Sequence, residues 1–434
     1  MTMEHVTKSS TRPPIGVVRG AGLYVGALIG PGLLLVPALG VAAAGPASII
    51  AWAGLLVLSV PLAVTFAALG VRYPEAGGVS TYVRAGLGEA ASVVVGGWFL
   101  TSILIGAPAV ALMGGYYVAD LTGSSSTVAV AVAIAIFVAV LGTNALGVRV
   151  SSTAQLVLSS VLVAVLIISI VFALPHVETS RWVPFAPHGW WAVGIAANIL
   201  VWLFVGWEAV AQLAGEFRRP AVDLPRAMAL AFAVVTVLYL ALAVATISIS
   251  RGTPSHVPLA DLVALGFGHA GRVATAVLAV ALTAGGMNVY IASGTKLAGA
   301  LAEARAMPAW LGMDGSLRAL GFLAVVDLGL LAALVAGIVN ITDLIRASST
   351  LFVGIYVLAV ASAIRILDGR ARLAAIAATV MVVAIAVFSA WYLLVCVVVG
   401  GLALLQWAYP RLRSSPRPGS RPSNAESSSR SART

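Results

Sequence analysis

Charge is what this sequence has least of. Only 9% of its 434 residues are Asp, Glu, Lys or Arg, where a water-soluble chain carries about a quarter. That shortfall excludes a soluble fold. Cysteine is nearly absent as well. The single Cys396 excludes an internal disulfide, a Cys-rich metal site and a CxxC redox pair, and it reads as a small buried hydrophobe. The five histidines (His5, His176, His188, His256 and His269) lie outside the long apolar runs or near their ends. HExxH, GxSxG and paired acids within an apolar run are missing, which removes the reading as a membrane-embedded enzyme; no P-loop occurs, so this chain alone cannot be ATP-driven. No metal-ligating or cofactor-binding pattern is present. The net charge of +10 comes without an RNP, zinc-finger or helix-turn-helix pattern, so nucleic acid is not a partner. A continuous polar pore is lacking too, which argues against a channel.

What remains is apolar: 61% of the residues are hydrophobic and the mean hydropathy is +1.05. Runs of about the ~20 residues needed to cross a hydrocarbon core recur at 16–40, 46–70, 91–118, 127–147, 152–174, 190–212, 225–249, 272–297, 318–338, 343–364, 371–388 and 390–408. Without water, each run must satisfy its own backbone, which predicts helices; a lipid-facing barrel would alternate apolar and polar residues, and these runs do not. The expectation is an all-α membrane protein of about twelve transmembrane helices, with lipid as a partner.

The basic residues set an orientation. With the N-terminus on the cytoplasmic side, the outer segments hold only Arg181, Arg251, Arg272 and Arg346, and the other 21 of the 25 Lys and Arg fall inside. Such a bias predicts cytoplasmic N- and C-termini in an inner or plasma membrane. Residues 1–15 and 409–434 are expected to be disordered, the second as a Ser-, Pro- and Arg-rich tail against anionic lipid. A basic start, an apolar run and Ala42–Ala44 also imitate a cleavable leader, but Gly30-Pro31-Gly32 in the middle of that run argues against one.

Gly30-Pro31-Gly32, with Gly26 and Ala27 one turn before, predicts a broken first helix. Pro31 lacks an N–H and clashes with the preceding turn, and the glycines tolerate unwound backbone. Unwound backbone at that depth must line a cavity or be buried in protein. The freed N–H groups and the positive end of the second half-helix suit a carboxylate; a Gly cluster that only packs helices is the alternative. In the sixth span, Trp202-Leu-Phe-Val205-Gly206-Trp-Glu208 permits a second break, whose carbonyls suit an ammonium group. Breaks in a first and a sixth span match an inverted repeat of five helices each, about 16–174 and 190–364, with two extra helices at 371–408. Together they predict an amino acid as ligand, at Gly26, Ala27, Gly30, Pro31, Gly32, Trp202, Val205 and Gly206. Trp202 is placed to close over it, or to pack. Glu208 lies inside a span, where low dielectric favours a neutral carboxyl and fits it to carry a proton; the alternative is a protonated carboxyl bonding a neighbouring helix. Asp327 is the other intramembrane acid and has no assigned role. The third span (Ser102 to Leu112) has no charge, which points to an apolar substrate side chain.

At these segments the chain resembles the amino acid–polyamine–organocation (APC) superfamily. The resemblance rests on Gly30-Pro31-Gly32 with Pro37, on Gly45-Pro46 and Tyr73–Val83, and on Gly206-Trp207-Glu208 followed by Gly215–Arg226. Met287–Ile291, Met307-Pro308, Asn340–Ile345 and Ile355-Tyr356 add to it. The match covers residues 16–408, and the branch it looks most like is that of bacterial methionine and branched-chain amino acid exporters. This likeness implies a LeuT-like fold, substrate carboxylate at the Gly30–Gly32 backbone and amine at carbonyls near Trp202 and Val205. It implies secondary transport of neutral, apolar amino acids, as exporter by proton antiport, importer or exchanger. The fifth span lacks the lysine that bears the proton in some relatives. Ser293 and Thr295 fall where sodium-coupled relatives hold hydroxyl ligands, so sodium stays open as the coupling ion. The loops Pro74–Gly78 and Arg218–Pro225 are expected to serve turns and gating rather than substrate contact.

Overall fold

The computed structural model describes residues 15–73, 78–148, 150–211, 213–250, 255–312 and 316–414. Among these, no strand occurs beyond one isolated bridge, Ile15 to Phe217. The expectations for residues 1–14, for Pro74–Gly77 of the second-helix loop, for Arg149 and Arg251, and for the tail from 415 onward lie outside the described residues.

The chain forms α1 (Val17–Leu28), α2 (Val36–Ala44), α3 (Ser48–Arg72), α4 (Val79–Leu87), α5 (Glu89–Leu121), α6 (Ser126–Ala145), α7 (Ser152–Ala173), α8 (Trp191–Leu200), α9 (Trp207–Ala211), α10 (Pro220–Ile249), α11 (Pro258–Glu303), α12 (Ser316–Val335), α13 (Ile341–Ile366), α14 (Gly369–Val387) and α15 (Leu393–Ser414). Eleven stretches are long and apolar enough to cross a membrane, and the first of them, Val36–Arg72, contains a turn. Gly45 takes φ +63° there, so α2 and α3 run in different crossings. With α1 joined to α2 as one span, and α8 to α9 as another, the described residues make twelve crossings.

Depth in the bundle follows burial. The most apolar windows of α5 and α13 are 67% buried, whereas those of α14 and α15 are 17% buried. The span of α8 and α9 is 72% buried, so these three spans form the middle and the last two helices coat it. Close packing needs small residues where backbones meet: a Cβ on Gly115 of α5 would collide with the Ala129 carbonyl oxygen of α6, and one on Gly86 of α4 would stand 2.7 Å from Ser362 of α13. Polar ties are few and local. Trp98 Nε1 donates to the Cys396 carbonyl (2.8 Å), holding α15 on α5. Asn198 donates to Thr350 (3.2 Å) and Ser389 (3.0 Å), joining α8, α13 and the turn after α14.

Three features depart from the sequence reading. Helix α4 (Val79–Leu87), which the apolar runs did not announce, follows the loop after α3. α11 begins at Pro258, and a non-helical Gly268 (φ 54°, ψ −132°) separates a short first piece from the crossing itself. α15 continues to Ser414, six residues into the segment read as tail.

Candidate substrate site at two helix breaks

The first break has the form its sequence demands. α1 ends at Leu28, Ile29 and Gly30 are extended, and a 3-10 turn over Pro31–Leu34 follows. That turn's first hydrogen bond runs from Leu33 N–H to the Gly30 carbonyl (3.1 Å). The N–H groups of Gly30 and Gly32 therefore stand outside the helical ladder, at the N-terminal end of the second half-helix, where an anion is favoured. In the sixth span α8 tightens into a 3-10 turn over Val201–Phe204, Val205 is extended, and α9 starts at Trp207. Gly206 takes φ +143°, a conformation that a side chain would strain. A Cβ there would also stand 3.1 Å from the Ala27 carbonyl oxygen.

The two breaks face each other. A Cβ on Gly32 would stand 2.9 Å from Leu203 and 3.7 Å from Trp202. Pro31 packs on Gly286 of α11, and the Trp202 ring lies over Gly106 of α5, 3.4 Å from where a Cβ would be. The uncharged third span thus does border the sixth break. Tyr290 of α11 is within hydrogen-bonding reach of Trp202. Of the residues expected at the site, Pro31, Gly32, Trp202 and Gly206 are buried, Gly26, Gly30 and Val205 are half-buried, and Ala27 is exposed.

Tyrosines complete the arrangement, and the sequence reading missed them. The Tyr239 hydroxyl on α10 lies 2.9 Å from the Leu28 carbonyl and 2.9 Å from the Leu203 carbonyl. A phenol has one proton to give, so the two orphaned carbonyls share it, one from each break. Tyr117 of α5 donates to the Leu34 carbonyl (2.8 Å) and accepts from Leu259 N–H (3.2 Å), tying the end of the first break to the start of α11. A mid-span tyrosine must find a hydrogen-bond partner, and that was the signal available. Replacing Tyr239 by Phe keeps the ring against Trp52 and Phe204 but leaves both carbonyls unpaired. We expect a loss of about 1–3 kcal/mol, read as a lower thermal unfolding temperature in detergent, with the protein still inserted.

Glu208 is 5% exposed. Its Oε2 accepts from the Tyr356 hydroxyl of α13 (2.7 Å) and from Gly206 N–H (3.2 Å), so protonation falls on the other oxygen. The Tyr24 hydroxyl, buried and without a protein partner, is close enough to act on Glu208 electrostatically, and the equally buried Tyr82 hydroxyl neighbours Tyr24. Trp207 anchors α9 by donating to Ser59 of α3 (3.2 Å). The acid is thus coupled through one N–H to the residue that makes the sixth break. Its neighbourhood joins α1, α4, α9 and α13.

Other candidates lie elsewhere. Asp327 is fully buried in α12 with both carboxyl oxygens unpartnered, away from either break. Ser293 is exposed. Thr295 donates to the Ile291 carbonyl (2.7 Å) and lines a cavity of about 500 Å³ with Asn144 and Lys296 between α6, α11 and α12. Neither hydroxyl is brought to the first break.

A family model described as amino acid permease matches residues 15–409. The uncharacterised amino acid permease YecA of Bacillus subtilis is 32% identical over 387 residues, covering 87% of this chain and 91% of the relative. The L-methionine/branched-chain amino acid exporter YjeH of Escherichia coli is 28% identical over 422 residues, covering 92% and 97%. The branched-chain amino acid permease BcaP of Bacillus subtilis is 26% identical over 224 residues, covering 48% of each chain. Two breaks in an apolar bundle and a match over nearly its whole length lead to one assignment: this multi-pass membrane protein is a transporter, not an enzyme, and belongs to the amino acid permease family.

Proposed function

We propose that the chain exports neutral, mostly apolar amino acids of the methionine, leucine, isoleucine and valine class by alternating access, with proton antiport as the coupling. The observation that carries this reading is the pair of facing breaks. The N–H groups of Gly30 and Gly32 would take the substrate carboxylate, and carbonyls of Trp202 and Val205 its ammonium group. Trp202, Leu203 and the uncharged wall of α5 offer the side chain nothing but apolar surface, where a charge would be costly. The exporter YjeH is similar over most of its length, which favours this class and direction.

Glu208 would carry the coupling proton. Ionised, it accepts strongly from Gly206 N–H and holds the sixth break shut; neutralised, it accepts less strongly and frees that turn. The chain would be built as two inverted repeats, residues 16–174 and 190–364, with both termini cytoplasmic in a bacterial-type inner or plasma membrane. The second reading is an importer or exchanger of the same fold, favoured by the partial similarity to the permease BcaP, with sodium as the other coupling ion.

Purified protein in lipid vesicles tests the proposal, with labelled leucine or methionine and an imposed pH gradient. Gradient-driven accumulation is expected. Flux that is indifferent to pH but follows sodium, or that occurs only as exchange, would replace the coupling. Absence of flux of either amino acid by folded protein would remove the substrate class.

A further inference from the structure

The last two helices coat the bundle, and their most apolar windows are only 17% buried. The turn between them is different. Ser389 is fully buried, and Ala390 takes φ +49°, a region that a residue with a Cβ rarely enters. Such a turn keeps its shape only where its surroundings hold it. Here α13 holds it. Arg346 donates to the Phe388 carbonyl (3.3 Å) and lies over the Tyr392 ring, 4.5 Å from its centroid. The Tyr392 hydroxyl donates to Asp343 (2.5 Å), and the Cys396 thiol donates to the Thr350 carbonyl (3.6 Å).

On its other side the turn meets α8. The Phe388 ring covers Gly194, where a Cβ would collide with it, and its centroid lies 4.6 Å from that of the Trp191 ring. The polar tie is a single residue. Apart from the Trp191 indole, Asn198 is the only hydrogen-bonding side chain of α8 (WAVGIAANIL). It gives both amide protons across the joint, to Ser389 (3.0 Å) and to Thr350 (3.2 Å). Thr350 in turn donates to the Arg346 carbonyl (2.8 Å). In low dielectric such bonds are stronger than in water, so making or breaking them shifts how α8 sits on α13. The Asn198 carbonyl oxygen is buried and finds no protein partner, a cost that leaves the joint not fully satisfied as it stands.

Asn198 precedes Trp202 by four residues, so only about 6 Å of helical rise separates the tie from the sixth break. Nor does α8 stand alone. Leu200 packs on Gly40 of α2, 3.1 Å from where a Cβ would be. Ala47 N–H donates to the Phe185 carbonyl (2.9 Å), and His188 Nδ1 lies 3.1 Å from the Ala43 carbonyl. In the topology proposed above, α2 and α8 are the outward halves of the two broken spans, and these contacts make them one unit. A path from the breaks to the outside opens along the border of that unit, and toward α13 the polar border is Asn198. We propose that the turn between α14 and α15 is a latch on the sixth span, fixed to α13 and released from α8 once in each transport cycle, with Asn198 as the positioning residue that it holds. This rests on the alternating access proposed above. The turn's side toward α13 carries several ties, a charge among them, and its side toward α8 a single amide, so separation falls on the α8 side.

Two spin labels measure the separation in reconstituted full-length protein. They are attached at Trp190→Cys, at the head of α8, and at Leu394→Cys, on the hairpin, positions that are 66% and 61% exposed. The background is Cys396→Ser, which keeps a donor for the Thr350 carbonyl. Electron–electron resonance is expected to show two distances, whose populations change when leucine is added. Ser389→Ala, which removes one hydrogen bond, should raise the longer-distance population relative to the shorter by about threefold to tenfold. Asn198→Leu should raise it further. A residue that only packs would lower the unfolding temperature and leave this ratio alone, and the loss of one oxygen in Ser389→Ala separates the effect from misfolding. A single distance, the same with and without leucine in protein that transports it, overturns the latch and leaves the proposed function standing. Two distances whose ratio is unchanged in both variants also overturn it. If folded wild type transports neither leucine nor methionine, the proposed function falls, and the latch stands only where both distances occur and Ser389→Ala shifts their ratio.

Discussion

Gly32→Val is expected to lower amino acid affinity at the central site by roughly 100-fold or more, the scale of losing charge-assisted hydrogen bonds, while the protein still inserts and elutes as a single species. The cause is steric and local. A Cβ at this position would stand 2.9 Å from Leu203, and the two methyl groups of valine reach further into the space between the breaks. The clash is with Leu203 Cδ2, the end of a buried side chain (2% exposed) that has little room to turn away. The methyl groups therefore occupy the approach to the Gly30 and Gly32 N–H groups. Binding of labelled leucine checks this, with gel filtration as the control. Wild-type affinity would refute a carboxylate site on this backbone.

Glu208→Gln is expected to abolish gradient-driven accumulation, with the internal-to-external ratio falling to about one, while exchange of labelled for unlabelled leucine continues. Glutamine is nearly isosteric, and its carbonyl oxygen can accept from both Tyr356 and Gly206 N–H. The variant should thus hold the sixth break as the neutral carboxyl does, and only the cycle between proton-bound and proton-free forms is removed. Transport by wild type should vary with pH, and the variant should show no such dependence, since no other acid among the described residues is bonded to the break. The decisive readings are the accumulation ratio under an imposed gradient and the pH profile of exchange. Undiminished, pH-dependent accumulation by the variant would assign the proton to another group.

Much of this architecture could be read from the chain. The crossings follow from apolar runs, and both breaks from Gly-Pro-Gly and from a lone glycine before Trp207, because backbone without an N–H or a Cβ has few places to go. The contacts that turn two breaks into one site could not be read. Tyr239 lies 33 residues beyond Gly206, and Tyr117 is on another helix; which carbonyl each hydroxyl meets depends on how helices rotate about their axes, and uniform apolar faces do not specify that rotation. Glu208 was found by its charge, whereas Tyr24 and Tyr356, which stand beside it, carry no charge and were given no role at the site. The ion triad of Asp120, Asp261 and Arg272 was hidden for another reason: its members fall at helix ends, where isolated charges usually face water, and only the fold brings them together.

The bridge between Ile15 and Phe217 limits how the molecule can move. Ile15 N–H bonds the Glu216 carbonyl (2.9 Å), Arg218 N–H bonds the Ile15 carbonyl (3.1 Å), and Gly20 lies so close to the Phe217 ring that a Cβ would stand 2.6 Å from it. The near ends of the two broken spans are therefore stitched into one rigid panel. A door made of α1 alone would tear two backbone bonds at each swing, whereas α1 and the segment after α9 swinging together tear none. Transport then has fewer moving parts than it has half-helices. A spectroscopic label on either edge of the panel reports the motion of both.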